Sequence, residues 1–208
     1  MTLPGRPSQY HYFLFNKPYG VLAQFTPEAG HRSLRNFGPF PKDIYPVGRL
    51  DVDSEGLILL TNDNRIKHRL STPKFSHERT YLVQVENIPE EEALQRLREG
   101  VVIEGKRTLP SRVHVLGDEP DLTPRPTPVR FRRNVPTSWL ELTLTEGRNR
   151  QVRKMTAAVG HPTLRLVRTH ISFLSLEGLS PGESRSLTPK ETARLVKEAS
   201  HSGEKHGL

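Results

Sequence analysis

Between Val47 and Gly56 the chain reads Val-Gly-Arg-Leu-Asp-Val-Asp-Ser-Glu-Gly and then enters the apolar run Leu57 to Leu60. Arg49 stands two residues before Asp51 in a glycine-bounded loop leading into a buried strand. Such a loop offers a guanidinium and a carboxylate to one ligand from a rigid frame, which is where chemistry is usually mounted. Asp53 and Glu55 are the competing carboxylates of the loop; Asp53 reads as a turn residue or one that supports the reacting group from behind, and Glu55 as a solvated one. A second concentration of charge lies at Arg148, Asn149, Arg150, Arg153 and Lys154. If Arg150 to Val159 is a helix ended by Gly160 and Pro162, steps of about 100° put Arg150, Arg153, Lys154 and Ala157 on one face. Val152, Met155 and Val159 fall on the other, to be packed. Cations in a first turn oppose the helix dipole by up to ~1 kcal/mol. The cluster therefore makes better sense if it holds an anion, either a phosphate or the Asp51 carboxylate.

Four segments follow one another in an order that is itself informative: Phe15-Asn16-Lys17-Pro18-Tyr19-Gly20-Val21, then Gly48-Arg49-Leu50-Asp51, then Arg79-Thr80-Tyr81-Leu82-Val83, then Glu146 through Met155. Together they resemble the motifs of the pseudouridine synthases, in the spelling of the branch acting on bacterial ribosomal RNA, and the resemblance runs from about Tyr12 to Leu187. It implies that Asp51 is the catalytic aspartate, that Tyr81 stacks on the displaced uracil, and that Arg153 keeps Asp51 ionised. It also implies RNA contacts from Arg49, Arg148, Asn149, Arg150, Lys154, Lys17 and Arg79, with Lys17 and Pro18 in a loop under the pocket. Arg79 departs from the lysine usual there, and the two cations are not interchangeable at a bidentate contact. From periodicity alone, Tyr81 reads as a core tyrosine on the Val83/Val85 face.

The reaction so implied breaks the bond from ribose C1′ to uracil N1, turns the uracil and rejoins C1′ to C5. Asp51 would attack C6, attack C1′, or assist a glycal-type elimination. The target must first leave its stack, costing a few kcal/mol, and Arg49 is placed to fill the vacated space or grip the neighbouring phosphate. Many relatives carry an S4-type domain ahead of the catalytic body, for which there is no room before Tyr12. The resemblance therefore points to the short large-subunit subgroup, with 23S rRNA as partner. The alternatives are a synthase acting on 16S rRNA or tRNA, and a non-catalytic RNA-binding assembly factor.

Composition agrees. With 31 Lys+Arg against 23 Asp+Glu the formal charge is +8, which favours an anionic partner. The absence of cysteine excludes disulfides, thiolate catalysis and Cys-ligated zinc. The nine histidines show no pair at the helical spacing of zinc ligands, and there is no phosphate-binding glycine motif. No cofactor and no metal are expected. The longest aliphatic run is far short of the ~20 residues that span a bilayer, and no apolar signal core opens the chain. A cytoplasmic, monomeric enzyme without membrane contact is the expectation.

The elements that must position these residues can be read from local signals. Tyr12 to Phe15 and Trp139 to Leu144 read as strands, as does Thr163 to Thr169, while Tyr81, Val83 and Val85 alternate with Gln84 and Glu86. Asn64 to Leu70 reads as a helix after an Asn62/Asp63 cap. Pro89-Glu90-Glu91-Glu92 opens another that Gly100 closes, and Val101 to Thr108 fits a hairpin. Thr188-Pro189-Lys190-Glu191 is a capping-box start for a helix to about Lys197. Irregular alternation of this kind predicts an α+β fold. The family resemblance implies a mixed, mostly antiparallel sheet with flanking helices, in two lobes around an RNA-binding cleft. Residues 12–197 would form this body, with disordered tails at 1–11 and 198–208. From Gly117 to Pro136 five prolines and four arginines interrupt it; this insertion is either disordered or an arginine-rich loop that orders against RNA phosphates.

Overall fold

Every residue from Glu55 to Thr61 is buried, with Leu57 and Leu59 in one apolar cluster and Ile58 and Leu60 in another. A strand covered on both faces reads as an unbroken apolar run rather than an alternation. Around it the computed structural model describes residues 10–28, 30–72, 75, 77–129 and 133–201. Its elements are β1 (Tyr12–Lys17), β2 (Val21–Leu22), β3 (Arg32–Ser33), β4 (Tyr45–Pro46), β5 (Glu55–Thr61), α1 (Asn64–Ser71), β6 (Arg79–Glu86) and α2 (Glu91–Glu99). They continue with β7 (Val102–Ile103), β8 (Lys106–Arg107), β9 (Arg112–Val115), β10 (Thr137–Leu144), α3 (Gln151–Ala158), β11 (Thr163–Ile171), β12 (Leu174–Ser175), β13 (Ser184–Ser186) and α4 (Pro189–His201).

The main sheet has the order β13-β1-β5-β11-β6-β10-β9, with β4 and β12 added on β5 and β11. All of its pairings are antiparallel except β5 with β11. The mixed, mostly antiparallel α+β expectation therefore holds. Strand β11 divides the sheet into two halves. On one side, Val83, Val85, Leu140 and Leu142 pack under α2 and α3 through Leu94, Leu97, Val152 and Met155. On the other, Leu14, Leu57 and Leu59 pack under α1 and α4 through Ile66, Leu70 and Leu195. Tyr81 touches both the first cluster and the aromatic-rich cluster of Phe15, Leu50 and Ile58, and so stands at the seam.

The caps account for the helix boundaries. Asp63 accepts from the Arg65 backbone N–H at 3.0 Å to start α1, and Thr188 with Glu191 makes the reciprocal box that starts α4. Two boundaries need correction. The final helix, expected to end near Lys197 and give way to a tail at 198, instead continues, since α4 runs to His201. Ala199, four residues after Leu195, continues the buried stripe, and Glu198 accepts from the Ser172 hydroxyl. At the other end, His11 donates its backbone N–H to Asn62 and the Arg65 guanidinium lies over the Tyr10 ring, so these two residues are tied down. Residues 1–9 and 202–208 lie outside the described residues.

Candidate functional site

The loop between β4 and β5 carries Asp51. Leu50 is buried against Phe15, Leu34 and Ile58, so its neighbours Arg49 and Asp51 are turned outward from a fixed point. The Ser54 N–H donates to the Asp51 carbonyl at 3.0 Å and closes a turn, while the Gly20 N–H donates to Val52 O at 2.8 Å from the side. Beneath the turn lies Lys17, fully buried, whose ammonium donates to the carbonyls of Pro18 (2.9 Å), Val21 (2.8 Å) and Val52 (3.5 Å). Lys17 is thus a strut tying the end of β1 to the Asp51 turn, and its place among the RNA contacts is corrected: no RNA group can reach it.

Burial draws the Lys17 pKa down from 10.5 to about 7, with Glu55, Asp53 and Asp51 pulling the other way. The folded value lies below the unfolded one, so between those two pH values the unfolded chain binds more protons and stability rises with pH. The unfolding free energy of the wild type relative to Lys17→Met is expected to grow by up to about 1.4 kcal/mol per pH unit across that window. Urea titrations at a series of mildly alkaline pH values would measure it. A flat difference would mean that the lysine keeps its charge in the fold.

The Glu146 to Met155 segment faces the turn. Arg150 is not the first residue of α3 but its left-handed N-cap, with φ 49°. There its guanidinium donates both Nη atoms to the Asp53 carboxylate at 2.9 and 2.8 Å, with Asp51 Oδ2 at 3.6 Å. Arg153 donates to the Asp53 carbonyl at 2.7 Å and stands 3.5 Å from its carboxylate. The carboxylate nearest Arg153 is thus that of Asp53, while Asp51 acts on it through charge alone. Asp53 lies nearer to α3 and takes both cations, and the guanidinium beside Asp51 is that of Arg150. Burial alone would raise the Asp53 carboxyl, but the Arg150 hydrogen bonds and the charge of Arg153 outweigh it and hold the pKa below the ordinary value.

The remaining expected RNA contacts divide. Arg49 is exposed at the mouth of the cleft and has no ion pair among the described residues. Arg148 is committed to the protein, donating to the Ile103 and Lys106 carbonyls and bracing the β7–β8 hairpin. Lys154 donates to Glu104 at 2.7 Å and to the Asn149 side chain at 3.2 Å, leaving Asn149 exposed. Arg79 donates to the Leu70 and His77 carbonyls, holding the end of α1, while its side chain lines the cleft wall. Glu55, read as solvated, is buried and bidentate to Arg165 at 2.9 Å for both bonds.

A cavity of about 480 Å³ opens where these pieces meet, lined among others by Arg49, Asp51, Tyr81, Leu166 and Arg168. Arg168 escaped the sequence reading. Its Nε donates to Leu57 O at 2.7 Å, and its Nη2 is buried without a hydrogen-bond partner among the described residues. The available signal was a pair of arginines, 165 and 168, set among the apolar residues Leu164, Leu166 and Val167 of one strand, where a buried guanidinium requires a partner or a ligand.

A carboxylate beside a guanidinium, sharing with a tyrosine the lining of a nucleotide-sized cleft with cationic walls, suits an enzyme that works on a single base turned out of a nucleic-acid strand. Residues 11–158 match the family described as RNA pseudouridylate synthase. The chain is 54% identical over 170 residues to ribosomal large subunit pseudouridine synthase E of Xanthomonas axonopodis pv. citri, covering 81% of this chain and 89% of that one. It is 49% identical to the synthase of the same description from Vibrio parahaemolyticus, covering 84% and 72%. Among solved structures it resembles a crystal structure of a pseudouridylate synthase with TM-score 0.75 and 32% identity, over 90% of this chain and 74% of that one. The chain belongs to the RNA pseudouridylate synthase family and is an RNA pseudouridine synthase.

Proposed function

We propose that the protein isomerises one uridine of 23S rRNA, with Asp51 as the reacting carboxylate and Tyr81 against the uracil. The observation that carries the reading is the position of Asp51, on a braced turn at the wall of the cavity that Tyr81 also lines. The similarity to synthases described as acting on the large ribosomal subunit supports the substrate. In the reaction the C1′–N1 bond breaks, the uracil turns within the cavity and a C1′–C5 bond forms. The proton lost from C5 is balanced by one gained at N1, so the change is redox-neutral. Tyr81 and Leu166 on neighbouring strands give the free uracil apolar surface to stay against. Arg150 supplies positive charge beside Asp51. Arg153 holds the turn through Asp53, one step removed from the reacting group.

No helix among the described residues is long and apolar enough to cross a membrane, and a ribosomal substrate supports a cytoplasmic site of action. The test is tritium release from transcripts labelled at uracil C5, since only bonding at C5 expels that label. Release from 23S rRNA, and none from 16S rRNA or tRNA, is the expected result. Release from 16S rRNA or tRNA alone would reassign the substrate, and salt-sensitive binding to all three without release would make the protein a binding factor.

A further inference from the structure

The segment from Gly117 to Pro136 forms neither helix nor strand where it is described, yet one of its arginines lies inside the protein. The Arg125 side chain is 8% exposed. Its guanidinium carbon sits 4.3 Å from the centroid of the Tyr19 ring, and its Nη1 is 3.9 Å from Glu55 Oε1. Both Glu55 oxygens also accept from Arg165, whose Nη2 donates in addition to the Thr123 carbonyl at 2.8 Å, two residues before Arg125. A loop that merely connects β9 to β10 would leave its arginine in water, because burying a guanidinium is costly unless it is paired.

Both partners of Arg125 border the Asp51 turn. Glu55 opens β5 immediately after Ser54, the residue whose N–H closes that turn. Tyr19 precedes Gly20, whose N–H bonds to Val52 O inside the turn. Arg125 therefore bridges the two stretches of chain that hold the turn from either side. We propose that Arg125 is a positioning residue for the isomerisation. It clamps Tyr19 and Glu55 together across the base of the turn, so that the insertion holds the Asp51 carboxylate in register with the cavity. The proposal rests on the reading of Asp51 as the reacting group.

Single-turnover tritium release, measured across RNA concentrations, tests it. Arg125→Ala leaves Glu55 paired with Arg165, so the buried charge balance survives. A misplacement of about 1 Å costs about 100-fold in rate, and a drop of about tenfold or more at saturating RNA is expected, with the half-saturating RNA concentration unchanged within about twofold. Tyr19→Ser should slow the reaction as much, Tyr19→Phe should keep the wild-type rate because the ring remains, and Arg125→Ala with Tyr19→Ser should be no slower than either alone. An unchanged rate overturns the proposal, as do losses that multiply in the double variant. A normal rate at saturation with weakened affinity also overturns it, making Arg125 an RNA contact. Asp51→Asn run alongside separates the two readings. If it stays active, the assignment of Asp51 fails; if it is dead while Arg125→Ala is normal, only the clamp fails.

Discussion

Asp51→Asn is expected to lower the isomerisation rate by about four orders of magnitude or more while the protein folds and binds RNA as before. Losses of that size accompany removal of a group that acts on the reacting atoms themselves. Asparagine matches aspartate in shape, and the features that shape the turn do not involve the Asp51 side chain. These are the Ser54 N–H to the Asp51 carbonyl, the Gly20 N–H to Val52, the Lys17 ammonium beneath and Leu50 in the core. Among the described residues the substitution breaks one ion pair, that with Arg150 at 3.6 Å, between side chains 33% and 40% exposed. A pair so open to solvent contributes little to stability. Arg150 remains bidentate to Asp53. The variant should thus melt with the wild type, retain RNA in a filter-binding assay within about threefold, and release no tritium above background. Activity within tenfold of wild type would move the chemistry to another group, and Asp53, the neighbouring carboxylate, is already occupied by two arginines.

The largest loss of stability is expected from Gly56→Ala. At this second residue of β5 the backbone has φ +104°, and an added Cβ would stand 2.3 Å from the carbonyl oxygen and 2.7 Å from the nitrogen of Arg168. Both atoms belong to the backbone of β11, so no side chain can swing aside. The only parallel pairing of the main sheet among the described residues runs through this point, with Glu55 opposite Val167 and Gly56 opposite Arg168. To admit a methyl group the two halves of the sheet must part at their seam, taking with them the Glu55–Arg165 pair and the Arg168 bond to Leu57. A cost of about 4 kcal/mol or more follows, which for a chain of this size lowers the melting temperature by about 10 °C or more. Melting within about 2 °C of wild type would show that the strands do not approach as described.

Much of the local architecture is legible in the sequence because its causes are local. The Asp63 and Thr188/Glu191 caps, the Gly100 stop after α2, the β7–β8 hairpin and the packed face of α3 each follow from residues within a turn or two of one another. The same locality explains the errors. Periodicity puts Arg150 inside α3 because it does not register a left-handed cap. It stops α4 early because the last apolar residue of that helix, Ala199, is single and small. Lys17 is placed correctly in a loop under the pocket but wrongly among the RNA contacts, because its full burial depends on packing against the distant turn at Val52.

By itself the sequence determined the four α-helices and the long strands of the described residues, the family and the presence of a carboxylate at Asp51 among cations. Only the tertiary structure decided which cation meets which carboxylate. Arg150 and Arg153 reach Asp53 across 97 and 100 positions, and Arg165 reaches Glu55 across 110. Those separations are closed by the pairing of β5 with β11, a parallel contact that needs a long crossover and that no short window of sequence encodes. Charges of one sign are interchangeable in a sequence pattern. They become distinct once the sheet sets their distances to a few ångströms, because Coulomb attraction and hydrogen bonding both depend on that distance.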